Sequence, residues 1–151
     1  MKVFISGVTG GLGVSLADEL LKQGDQVRGI GRRNFEYERL RFNNNGQFKY
    51  YSCDTTGAED VNRTFDALID EDFLPDRVVF CAGEAFPDVA EGCYRLKQYK
   101  ENFDINLYGA LFWVEKFLPA FIERKKGTFA AISSMSVYRE SRKNRIGYSA
   151  S

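Results

Sequence analysis

Histidine is absent from this chain of 151 residues. Its absence excludes an imidazole general base, a Ser-His-Asp triad and any metal site built on histidine ligands. Proton chemistry therefore falls to Tyr, Lys, Asp, Glu, Cys or a bound cofactor. Cysteine is scarce: Cys53, Cys81 and Cys93 are odd in number and have no CxxC spacing. Neither a disulfide framework nor a zinc site is expected, and the thiols should be reduced and mostly buried. No apolar run approaches the ~20 residues of a membrane span. The N-terminal run Val3-Phe4-Ile5 breaks at Gly7, too early for a signal peptide. These absences predict a cytoplasmic protein with no membrane partner. An excess of one charge is missing too, because Lys+Arg and Asp+Glu are both 21. No strong field for nucleic acid follows.

What remains is an ordinary globular composition, 44% hydrophobic and 28% charged. The length suits a single domain over residues 1–151, with a core that needs no crosslink or structural metal. Strand-like and helix-like segments alternate throughout. Strands are predicted at Lys2 to Ser6, Gln26 to Gly31, Phe48 to Cys53, Arg77 to Ala82 and Thr128 to Ser133. Helices are predicted at Gly11 to Gln23, at Ala58 to Asp70 and, longest, at Gln98 to Glu123. A short helix over Phe35 to Phe42 and a turn at Asn43-Asn44-Asn45-Gly46 separate the second and third strands. The aperiodic, polar stretch from Met135 to Ile146 reads as a loop. On the second long helix Val61, Phe65, Leu68 and Ile69 share a face. On the third the apolar stripe reads Phe103, Leu107, Ala110, Leu111, Val114 and Leu118, which leaves Tyr108, Phe112 and Trp113 beside it, as core or as a subunit contact. Connections of this length imply parallel pairing through right-handed crossovers. The fold class is α/β, a Rossmann-like, doubly wound parallel sheet.

The first strand runs straight into Ser6-Gly7-Val8-Thr9-Gly10-Gly11-Leu12-Gly13 and then a helix. A strand, a glycine turn and a helix start offer unpaired N–H groups and the positive dipole end to a phosphate. Glycine lets the backbone approach that phosphate and lets helix and strand pack closely. No Lys-Ser or Lys-Thr follows, so the turn is not a P-loop. At the end of the second strand, NAD-binding folds place an acid that accepts from the ribose hydroxyls. Here the chain has Gly31-Arg32-Arg33. Guanidinium groups suit a 2′-phosphate, which points to NADP(H) over NAD(H).

The glycine turn, with Gly7, Gly11 and Gly13, resembles the cofactor loop of the short-chain dehydrogenase/reductase family. The spacing of Gly7, Gly10 and Gly13 also resembles the family's extended branch of sugar-nucleotide epimerases and dehydratases. Thr9 and Leu12 fall in the same loop. The resemblance continues at Asp54-Thr55, where the family's aspartate contacts adenine, although Asp after a strand also suits a turn. Cys81-Ala82-Gly83 resembles the family's Asn-Ala-Gly, with cysteine in place of asparagine. Asn106, Ser134 and Tyr148 resemble the family's Asn, Ser and Tyr-x-x-x-Lys set. That resemblance implies Tyr148 as general acid/base, Ser134 as the group that polarises a substrate carbonyl, and Asn106 in a proton relay. A phenol with a reference pKa of ~10 needs a nearby ammonium to act near neutrality. The family's lysine would fall at position 152, one past Ser151. The expectation is thus the front part of a domain of about 250 residues, inactive when isolated. The activity implied is hydride transfer between a nicotinamide and a small-molecule carbonyl or alcohol, in a homo-oligomeric full-length protein. A sugar-nucleotide-modifying enzyme and a non-catalytic nucleotide-binding regulator are the alternatives.

Overall fold

The computed structural model describes residues 1–35, 46–90, 92–139 and 144–151. In chain order its strands are β1 (Lys2–Ser6), β2 (Gln26–Gly31), β3 (Phe48–Ser52), β4 (Arg77–Phe80), β5 (Val89–Ala90), β6 (Cys93–Tyr94) and β7 (Thr128–Ala131). The helices are α1 (Gly11–Lys22), α2 (Ala58–Asp70), α3 (Leu96–Phe103), α4 (Gly109–Glu123) and α5 (Ile146–Ala150). A π turn, Asp104–Tyr108, joins α3 to α4, and a 3-10 turn covers Met135–Val137.

Five strands form one parallel sheet in the order β3-β2-β1-β4-β7. β1 is central, with Ile5 paired to Gly29 of β2 and Val79 of β4. Val3, Phe4 and Ile5 are fully buried, which explains why β1 is a continuous apolar run: a central parallel strand is covered on both faces. Alternate residues serve opposite layers. Val3 and Ile5 join Val8, Ala17, Leu21 and Val27 beneath α1. Phe4 joins Val61, Leu68, Trp113 and Phe117 beneath α2 and α4. The chain winds outward from β1 in both directions, so the strand order reverses between β1 and β4. That reversal opens a crevice beyond the carboxyl ends of the strands.

The long helix departs from its sequence expectation. Its buried line is Ile105, Gly109, Trp113, Phe117 and Phe121, at four-residue spacing. Leu111 and Leu118, expected in the stripe, are exposed, and so is Tyr108. Trp113, expected beside the stripe, has no exposure and packs its ring 4.5 Å from that of Phe4. The buried line starts at Asn102 of α3 and runs on in steps of three and four residues, whereas Phe103, the expected start of the stripe, is only partly buried. A stripe anchored on the apolar Phe103 rather than on the polar Asn102 therefore falls one residue off the buried face.

Smaller differences follow from local geometry. On α2, Thr64 is buried and Ile69 exposed. β4 stops at Phe80 and β7 at Ala131, because both strands leave the sheet at the crevice. The 3-10 turn and the first residue of α5 fall inside the stretch expected to be loop. The β5–β6 hairpin was not anticipated. It places Cys93 on the surface, whereas Cys53 is buried and Cys81 partly so. Positions 36–45 and 140–143 lie outside the described residues, and with them most of the helix and turn expected between β2 and β3. Among the described residues no helix is long and apolar enough to cross a membrane.

Candidate functional site

The crevice is lined by the turns that leave β1, β2, β3 and β4, together with Ile105 of the π turn. Gly7, Thr9 and Gly10 come from the first of these turns. Gly7 has φ +75°, and its N–H donates to the Ile30 carbonyl at 2.9 Å. A Cβ on Gly7 would stand 2.5 Å from the Ala82 nitrogen, so β1 and β4 can meet here only through glycine. Gly13 does not line the crevice. It is buried where α1 crosses the turn, and a Cβ there would lie 2.3 Å from the Gly7 carbonyl oxygen. Gly10 is the N-cap of α1 and offers no side chain to its first N–H groups. Gly11 and Leu12 are exposed in the first turn, and nothing stands within 4 Å of a Cβ built on Gly11. The result is an uncapped helix start with open space before it, a geometry suited to an anion.

Gly31, Arg32 and Arg33 line the wall beyond β2. The hydroxyl of Tyr50 lies within hydrogen-bonding distance of the Gly31 carbonyl, at 2.5 Å, and of the Arg33 carbonyl. Arg32 reaches across the crevice, and its Nη2 is 3.3 Å from Oε1 of Glu84 in the turn after β4. Sequence reading missed this acid. It lies 52 residues from its partner, so no local pattern announces the pair.

The third wall is Cys53, Asp54 and Thr55. Burial pushes the Cys53 thiol up to about 11. Oδ1 of Asp54 accepts from the Thr56 N–H at 3.0 Å and from its hydroxyl at 2.9 Å, so half of this carboxylate closes a local turn. The Asp54 N–H donates to Asp60, and this bond holds the Asp60 carboxyl below its ordinary value. The Thr55 hydroxyl, buried, donates to the Gly109 carbonyl at 2.8 Å and ties this wall to α4.

Cys81, Ala82, Gly83 and Glu84 form the fourth wall. Burial raises the Cys81 thiol. The following loop is held by two side-chain amides, one helical turn apart. Asn106 accepts from the Glu84 N–H at 2.8 Å and donates to the Glu84 carbonyl at 2.9 Å. Asn102, fully buried, does the same to Phe86 at 2.9 and 3.1 Å. The pair acts as a substitute neighbouring strand, which satisfies loop groups that the sheet no longer reaches.

Asn106 also donates to the Ser151 hydroxyl at 2.9 Å, which sets the end of α5 against the crevice loop. Tyr148 sits half-buried in the middle of α5. Ser134 caps the 3-10 turn, its Oγ accepting from the Ser136 N–H at 3.2 Å. Among the described hydrogen bonds none joins Ser134 to Tyr148.

The residue that positions α5 is one that sequence reading passed over. Asp88 has no exposure. Its Oδ1 accepts from the Ile146 N–H at 3.0 Å and its Oδ2 from the Gly147 N–H. Its own backbone pairs with Asn144 at 2.9 Å and Arg95 at 2.7 Å. A Cβ on Gly147 would come within 2.8 Å of that carboxylate, so the cap needs glycine opposite it. The available sequence signal was a lone acid inside the run Phe86-Pro87-Asp88-Val89-Ala90. No group of three or more potential metal ligands occurs among the described residues.

A family profile described as short chain dehydrogenase matches residues 1–151. Serine 3-dehydrogenase of Rhizobium radiobacter is 30% identical over 136 residues, which cover 90% of this chain and 54% of that protein. Sorbitol-6-phosphate 2-dehydrogenase of Klebsiella pneumoniae is 27% identical, covering 89% of this chain and 52% of that one. The chain thus spans about half the length of these curated relatives. Among solved structures, a serine dehydrogenase from Escherichia coli has a TM-score of 0.87 at 22% identity, over 99% of this chain and 69% of that one. ElxO with NADP bound gives 0.85 at 24%, over 99% and 61%. A short-chain dehydrogenase from Leptospira borgpetersenii with bound NAD+ gives 0.85 at 19%, over 99% and 59%. At these identities the structural likeness speaks for the fold.

Proposed function

Because the chain belongs to the short-chain dehydrogenase family, we propose that its protein is an NADP(H)-dependent oxidoreductase interconverting a carbonyl and an alcohol on a small molecule. The observation that carries this reading is the crevice itself. An uncapped α1 start, open at Gly11, lies beside two arginines where an NAD site would have an acid. Residues 1–151 act in this reading as one cofactor-binding domain.

The bound nicotinamide would supply or accept the hydride. The chain's own residues do the rest. The N–H groups opening α1 hold the diphosphate, with Gly7 and Gly13 allowing the close approach. Arg32 and Arg33 take the 2′-phosphate, and Asp54 with Thr55 borders the adenine. Cys81, Ala82 and Gly83 form the floor between the two halves of the crevice. Tyr148 carries the proton to or from the substrate oxygen, and Ser134 holds that oxygen by a hydrogen bond. Asn106 has its side-chain amide committed to Glu84 and Ser151. The role proposed for it is to hold α5, and with it Tyr148, against the crevice.

Titration calorimetry on the full-length protein tests the cofactor. NADPH should bind more tightly than NADH, and Arg32→Asp should weaken NADPH far more than NADH. Equal affinities would overturn the arginine reading. Tyr148→Phe should abolish turnover while leaving NADPH binding nearly intact, and retained activity would refute its role. A homo-oligomer is also proposed, on a separate observation: Tyr108, Leu111, Leu118 and Ile122 are exposed along the outer face of the long helix, on either side of Glu115. Leu118→Glu should lower the mass measured by light scattering. An unchanged assembly would exclude this face as the contact.

A further inference from the structure

We propose that Glu84 sets the strength of the cofactor preference by competing with the 2′-phosphate for Arg32. The inference rests on the NADP(H) reading above and adds a residue to it. Arg32 and Glu84 stand on opposite walls of the crevice, joined at 3.3 Å, and both line the space a dinucleotide would enter. The backbone carrying Glu84 is fixed. Asn106 holds its N–H at 2.8 Å and its carbonyl at 2.9 Å, and Asn106 is itself tied to Ser151. The loop therefore cannot carry this carboxylate away when the crevice fills; only the side chain can turn.

A guanidinium fork grips one carboxylate or one phosphate in the same plane. An incoming 2′-phosphate must take Arg32 from Glu84 and then sit beside the displaced carboxylate. NADH, with a ribose hydroxyl at that point, leaves the ion pair in place. An acid within reach of a ribose hydroxyl is moreover the arrangement NAD sites use. Glu84 thus narrows a discrimination that Arg32 and Arg33 create. The pair is partly exposed, with side chains 47% and 33% accessible, so its effect should be modest and salt-dependent.

The test is a double-mutant cycle on the full-length protein, with NADPH and NADH affinities measured by calorimetry at low salt. Glu84→Gln should tighten NADPH about fivefold and change NADH by less than about twofold. In an Arg32→Gln background the same substitution should change NADPH by less than about twofold. Unchanged or weaker NADPH binding in Glu84→Gln overturns the competition. So does a gain that persists undiminished without Arg32, since Glu84 would then act by repulsion alone. Arg32→Gln by itself separates the two readings. If it fails to weaken NADPH relative to NADH, the NADP(H) assignment falls. If it weakens NADPH while Glu84→Gln does nothing, only the competition falls. Glu84→Ala, checked by circular dichroism, repeats the measurement should the glutamine variant misfold.

Discussion

Replacing Asp88 with alanine would take both acceptors from the first turn of α5. The Ile146 and Gly147 N–H groups now end on its carboxylate, in a site with no solvent exposure. A hydrogen bond to a charged acceptor contributes roughly 1.5–3 kcal/mol. Two of them, less some relief from entering water, give a loss of about 3–4 kcal/mol. A helix of five residues cannot persist by itself, so the loss should appear as local opening of residues 146–150, with the sheet left intact. At about 1.4 kcal/mol per decade, amide exchange at Ile146 and Gly147 should accelerate roughly 10²- to 10³-fold. Asp88→Asn keeps one acceptor and should cost about half as much, giving an acceleration nearer tenfold. Site-resolved hydrogen exchange reads both. Unchanged exchange at Ile146 and Gly147 in Asp88→Ala would refute the assigned cap. Equal acceleration throughout β1 and β4 would refute the claim that the loss is local. Because Tyr148 rides on this helix, turnover should fall in the same order across the two variants.

The fold was legible because its cause is local. β1 and β4 lie between two helical layers, so their interiors had to be short apolar runs, and α1 and α2 show a helical period without interruption. The glycine turn was legible for the same reason: Gly7 takes φ +75° and Gly13 is needed where α1 meets the Gly7 carbonyl, within one strand–turn–helix unit. Legibility failed where the cause was distant or irregular. The π turn at Asp104–Tyr108 has no compositional mark, and the buried line of the long helix begins with polar Asn102 and includes Gly109, which a count of apolar residues passes over. Arg32 and Glu84 are 52 residues apart, and Asp88 and Ile146 are 58 apart. Each partner read alone is an ordinary charged loop residue. The β5–β6 hairpin, with two residues per strand, is too short for an alternating pattern to register.

That contrast orders the remaining tests. Gly7→Ala should cost about 2–4 kcal/mol, a Tm fall of roughly 5–15 °C, because φ is +75° and Ala82 blocks the new Cβ. Gly24→Ala, at φ +84° but facing open space, should cost only about 1 kcal/mol. At pH 8 a thiol reagent should label exposed Cys93 at once and Cys53 only after unfolding. The folded Cys53 thiol keeps its proton up to about 11, whereas the unfolded thiol loses it near 9.0. Its contribution to stability is therefore complete below 9.0 and lost as pH rises through 11, which chemical denaturation across that window should show. The last test weighs the two readings of the long helix directly. Trp113 is fully buried against Phe4 and Phe117, so Trp113→Ala should cost about 3–5 kcal/mol. Leu118 is exposed, so Leu118→Ala in the unassembled subunit should cost less than about 1 kcal/mol. A helix that buried the stripe through Leu111, Val114 and Leu118 requires the opposite order. Denaturant melts of the two variants, under conditions that keep the subunit monomeric, decide between them. A larger loss at Leu118 than at Trp113 would mean that α4 turns the face carrying Leu118 to the sheet.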